Sequence, residues 1–90
     1  MTFGGLPGAE LIERGLRELG ERRETAASLL VSIGAPRLRR AGVPVVSPFD
    51  EPEHRLYRLL ARTEGTAAHS RYNALLRRLV SFERAAECGR

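Results

Sequence analysis

Lysine and tryptophan do not occur in this chain, and cysteine, methionine and aspartate occur once each. These absences exclude several classes. The single cysteine, Cys88, leaves no partner for an intrachain disulfide and no ligand set for a cysteine metal cluster, which suits a reducing compartment. With no tryptophan, two tyrosines and three phenylalanines, the interior has to be packed mainly by aliphatic side chains. No apolar run approaches the ~20 residues that span a bilayer. The first residues, Met1-Thr2-Phe3-Gly4-Gly5-Leu6-Pro7-Gly8, lack the basic start and apolar stretch of a signal peptide. The expectation is a cytoplasmic protein with no membrane contact.

What is present is arginine. All 15 basic residues are arginine, and the formal net charge is +4. The flat guanidinium fork suits phosphate and carboxylate, which would point to nucleic acid or an acidic partner. Arginine-for-lysine usage together with many alanines and glycines is also what a GC-rich bacterial genome produces, so the charge by itself selects no partner. A chain of 90 residues is one domain, because it buries only about 60% of its unfolded surface and cannot support two cores. That domain covers residues 1–90, with 1–8 and 88–90 expected to be loosely ordered.

Apolar spacing and caps predict an all-α fold, a compact bundle of four to five helices with the last one longest. A first helix from about Ala9 to Arg23 carries Ile12, Leu16 and Leu19 on one face. Glu10, Arg14, Glu18 and Arg22 alternate at four-residue spacing and read as a solvated ladder. Gly15 and Gly20 weaken this helix by up to ~1 kcal/mol each relative to alanine, and Gly20 can end it early. Thr25 caps a second helix that brings Leu29, Leu30 and Ile33 inward before Gly34. Pro36 starts a short third helix with Leu38 and Ala41 inward and Arg37, Arg39 and Arg40 outward. Two prolines make Val43 to Phe49 a poor strand and a natural connector across the helices. Asp50-Glu51-Pro52-Glu53 reads as an acidic cap, a first-turn proline and a capping-box glutamate. The helix it starts breaks at Gly65. Along the last helix Ala68, Tyr72, Leu75, Leu79, Phe82 and Ala86 recur in a heptad-like seam, which makes that helix the expected spine of the fold.

Three groups of residues are candidates for function. Arg37, Arg39, Arg40, Arg71, Arg77, Arg78 and Arg84 could contact nucleic acid or an acidic partner. A helix-turn-helix reading of Thr25 to Arg40 fits poorly, because its second helix is too short to span a major groove. Arg62, His69, Tyr72 and Asn73 form the most polar cluster, with Arg62 and His69 meeting across the Gly65 turn. A histidine beside an arginine could act on a phosphodiester as a small ribonuclease does. The plainer reading is a helix-start histidine and a helix-end cation. Finally, Leu76 and Val80, which broaden the seam, and Phe49 of the connector are apolar residues left available for oligomer contact.

No glycine-rich phosphate loop follows a strand, no acidic cluster has metal-ligand spacing, and no serine has a base that the sequence nominates. A bundle this small also has little room for a pocket of ~300 Å³. The expectation is therefore not an enzyme but a protein-interaction module without cofactor, metal or small-molecule substrate. It would be homo-oligomeric or the small partner of a larger bacterial protein. Nucleic-acid binding is the alternative.

Overall fold

The computed structural model describes residues 4–88 and is all-α among them. The expected loose order of residues 1–3 and 89–90 lies outside the described residues. Residues 4–8 form turns, and Cys88 belongs to the last helix. Five α-helices follow in order: α1 (Ala9–Gly20), α2 (Ala26–Ile33), α3 (Ala35–Arg40), α4 (Pro52–Glu64) and α5 (Ala68–Cys88). A 3₁₀ turn, Gly65–Ala67, joins the last two.

α1 ends at Gly20, as the glycine predicts, and α2 is capped by Thr25. The Thr25 hydroxyl accepts from the Ser28 amide at 3.1 Å while the Ser28 hydroxyl accepts from the Thr25 amide at 2.8 Å. This reciprocal pair satisfies two amides that a helix start leaves open. At α4 the starting point is as expected but the cap is different. Glu51, not Asp50, occupies the cap position, in the left-handed region at φ 47°, and no side chain bonds the first turn. Pro52 alone sets that start, since its fixed φ suits the first helical position and its missing N–H costs nothing there.

The hub of the bundle is α2 and not α5. α2 packs against α1, α3, α4 and α5, because nearly every side of it is apolar or small and six of its eight residues are buried. Such a helix has no face to give to water. α5 is the longest element, at 21 residues, and its seam is buried at Ala68, Leu75, Leu79, Phe82 and Ala86. α4 folds back on α5 through buried Leu56 and Leu60.

The charge ladder on α1 is only partly solvated. Glu18 is buried, 4% exposed, with its carboxylate accepting from the Thr25 hydroxyl at 2.6 Å and from Arg14 Nε at 3.2 Å. The close approach of α2 covers it. The segment from Val43 to Phe49 is the expected connector: Val43 and Val45 are buried, and no ladder pairs its backbone. Arginines and a serine satisfy it instead. Arg39 donates to the Val45 carbonyl through Nε and Nη2 at 2.9 and 2.6 Å, Arg22 donates to the Ser47 carbonyl at 2.7 Å, and the Phe49 amide donates to Ser32 Oγ at 3.1 Å.

Candidate functional site

On α5, Leu76 and Val80 flank the buried seam and stay partly exposed, one helical turn apart. The end of α2 and the start of α3 lie opposite. They come this near because Gly34 has no side chain: a Cβ there would sit 2.8 Å from Glu83 Oε2 and 2.9 Å from Leu79 Cδ1. Between the two walls runs a groove of about 350 Å³, lined by Ile33, Gly34, Pro36, Arg37, Arg40, Leu76, Leu79, Val80 and Glu83. Other surface depressions reach about 310 to 380 Å³. Small size therefore does not deny this chain a concave surface.

One ion-pair network closes the end of the groove. Arg37 grips Glu87 with both prongs, Nε to Oε2 at 3.1 Å and Nη2 to Oε1 at 2.9 Å, and places Nη1 3.5 Å from Glu83 Oε1. Glu83 is 3% exposed. Burial pushes its carboxyl above the ordinary glutamate range, with Arg37 opposing that shift and Glu87 adding to it. Glu87, at the surface, is held below that range by its bond to Arg37. Glu18 is lowered too, first by the Thr25 hydroxyl, against the effect of burial.

The two buried glutamates give opposite pH signatures. Glu18 has its lower value in the fold, so its contribution is full above the unfolded value near 4.3 and is lost as pH falls through the folded value. Glu83 has its higher value in the fold, so its contribution is full below about 4.3 and is lost as pH rises through the folded value. Urea unfolding should show the advantage of the native chain over Glu18→Gln growing as pH rises from about 3 to 5. Its advantage over Glu83→Gln should shrink as pH rises from about 4 to 7. Equal slopes of one sign would contradict this assignment.

The arginines expected to act together are dispersed. Arg39 is exposed and Arg37 partly exposed, but Arg37 is committed to the two glutamates and the guanidinium of Arg39 to the Val45 carbonyl. Arg40 is exposed on the groove bank. On α5, Arg77 and Arg84 share a solvent face two turns apart, and neither is hydrogen-bonded or ion-paired to a described residue. Arg71 and Arg78 lie on another stripe, where Arg78 shares a depression with Glu10 and Glu13.

The polar cluster also divides. His69 and Asn73 meet at 3.3 Å, and Tyr57 packs edge-on against His69 and Tyr72 with ring centroids 6.4 and 5.5 Å away. Burial raises the Tyr72 hydroxyl, and the nearby Glu53 adds to the shift. Arg62 faces elsewhere, lining a depression with His54 and Arg58, and makes no hydrogen bond with His69. Arg62 and His69 are therefore not brought together; the histidine that meets an arginine is His54, whose Nε2 lies 2.8 Å from Arg58 Nη2. Phe49 is separated from Leu76 and Val80 as well: its ring lies under the guanidinium of Arg22, 4.5 Å away, with Arg55 at 6.0 Å.

The residues that sequence reasoning missed are Ile33 and Pro36, which form the far wall of the groove, and Tyr57. Ile33 looked like a core residue of α2, and only the turn at Gly34 places it at the edge. Among the described residues no three histidine, cysteine, aspartate or glutamate side chains stand close enough to hold a metal, and no helix is long and apolar enough to cross a membrane. No family model, no curated protein and no solved structure matches this chain.

Proposed function

We propose that this chain is a small protein-interaction module that receives a partner in the groove between α3 and α5. One observation carries the reading. Partly exposed Ile33, Leu76 and Val80 and exposed Pro36 line one concavity together over the buried Leu79, whereas the two large apolar residues most open to solvent, Val46 on the connector and Tyr57 on α4, stand apart from it. Contiguous apolar surface with a polar rim marks contact sites, while scattered apolar residues do not. The carboxyl in the groove, Glu83, is tied to Arg37, which suits recognition better than acid–base work.

A second reading, nucleic-acid binding, draws support from Arg77 and Arg84, which are exposed on one face of α5. A photoreactive benzoylphenylalanine placed at Val80 in the source cell tests the two together. The expected result is a covalent adduct with protein that is absent when the probe replaces the exposed Ser81 instead. A nuclease-sensitive adduct, with binding to an RNA or DNA pool that weakens steeply with salt, would favour the second reading. No adduct at Val80 would remove the first.

A further inference from the structure

Resting on that docking reading, we infer that the groove accepts an acidic amphipathic helix of another protein, and not a second copy of this chain. The floor and walls are aliphatic, from Ile33, Pro36, Leu76, Leu79 and Val80, and so offer the ridge of a helix a place to lie, with apolar anchors at i, i+3 or i+4 and i+7. No aromatic ring lines the groove, so an unstacked base finds no platform there.

Both banks are cationic. Arg40 stands on the α3 bank. On α5, outside the groove lining, Arg77 lies three residues before Val80 and Arg84 four residues after it, so both neighbour Val80 on the helix surface, Arg77 at the border with the next depression along α5. Glu83 and Glu87, the acidic residues on this side of α5, are already engaged by Arg37. Arg77 and Arg84 have no hydrogen-bond partner among the described residues; Arg40 has none either, but it stands near enough to Glu87 to help hold that carboxyl down. A partner helix whose apolar stripe is bordered by carboxylates would meet opposite charge on both sides.

A second copy does not have that complementarity. A two-fold contact presents the same patch from each subunit. It would bring two copies of the same arginine-rich patch to one interface, and like charges gathered across an interface are unfavourable. A foreign acidic helix brings the missing charge.

The test uses the full chain with three synthetic helical peptides. One carries a leucine stripe bordered by glutamates, one the same stripe bordered by lysines, and one the glutamates with serines in place of the leucines. Fluorescence anisotropy should show the leucine–glutamate peptide binding at least about tenfold more tightly than the leucine–lysine peptide, a difference of about 1.4 kcal/mol. Its affinity should fall as salt rises from about 50 to 500 mM, as screened charge contacts do. The double variant Arg77→Glu/Arg84→Glu, both positions being exposed, should reverse the preference while its circular dichroism is unchanged. Amide shifts should map to Ile33, Leu76 and Val80.

Equal binding of the glutamate and lysine peptides at those amides would overturn the acidic-helix inference and leave the docking reading standing. A dimer at micromolar concentration that Leu76→Arg dissolves would do the same. Binding of the serine–glutamate peptide as tight as that of the leucine–glutamate peptide would mean that arginines alone hold the ligand. That result would overturn both statements. Preference for an RNA oligonucleotide over all three peptides, lost in Arg77→Ala/Arg84→Ala, would overturn both as well.

Discussion

Phe82→Ala is expected to cost about 3–5 kcal/mol of unfolding free energy, the range for an aromatic truncated inside a packed core. Phe82 is 0% exposed and is the largest of the fully buried side chains. It lies in the α5 seam, and the N-terminal turn closes over it: a Cβ on Gly8 would touch Phe82 Cβ at 3.8 Å. Little can collapse into the space it leaves, because Gly8 is already 3.3 Å by the same measure from the Arg78 carbonyl. A domain of this length has roughly 5–13 kcal/mol to lose, at ~0.05–0.15 kcal/mol per residue. The variant should therefore fold marginally, with the urea midpoint sharply lowered and the slope unchanged. A loss under about 1 kcal/mol would mean that the seam is not packed as described.

Gly15→Ala should destabilise by about 2–3 kcal/mol, although alanine is the better helix former by ~1 kcal/mol. The reason is contact. A Cβ at Gly15 would run into the backbone carbonyl of Ala27 and sit 2.8 Å from Val31 Cγ1. A carbonyl cannot rotate away as a side-chain tip can, so α1 and α2 would have to separate. Gly20→Ala provides the control in the same helix. A Cβ there meets nothing within 4 Å, so the substitution should be neutral or stabilising by up to ~1 kcal/mol. Differential scanning calorimetry of the pair should move in opposite directions, and a stabilised Gly15→Ala would refute the close α1–α2 contact.

Gly15 also shows where sequence reading stops. Local signals placed most of the fold: the seam residues of α5 are buried except Tyr72, which is partly exposed, Thr25 caps α2, Pro52 starts α4, and Gly65 breaks it. These are decided within a turn or two of chain, by spacing and backbone chemistry. What one helix allows another to do is not local. Gly15 counts as a defect when α1 is considered alone, yet it lies on the stripe with Ile12 and Leu19, which is the place a second helix can press closest. That pressing buries Glu18, three residues on, and turns a rung of a solvated ladder into the partner of Thr25.

The candidate site divides the same way. Leu76 and Val80 were visible because the seam is wider than a coiled-coil stripe. Their opposite wall was not, because Gly34 carries Ile33 and Pro36 across to a helix far along the chain. Arg37 illustrates the difficulty further: its partners Glu83 and Glu87 lie some 50 residues away, and among so many guanidiniums nothing local distinguishes the one that is paired.

The connector from Val43 to Phe49 bears on the composition itself. Its carbonyls are answered by guanidinium groups, two prongs of Arg39 on one oxygen and one of Arg22 on another, and the same Arg22 lies over the ring of Phe49. An ammonium group is a compact, strongly hydrated point and cannot both fork and stack in this manner. Whatever codon usage brought arginine to these positions, the fold has since become bound to it. A version of this protein rewritten with lysine throughout would keep every charge and lose the strap that crosses its helices.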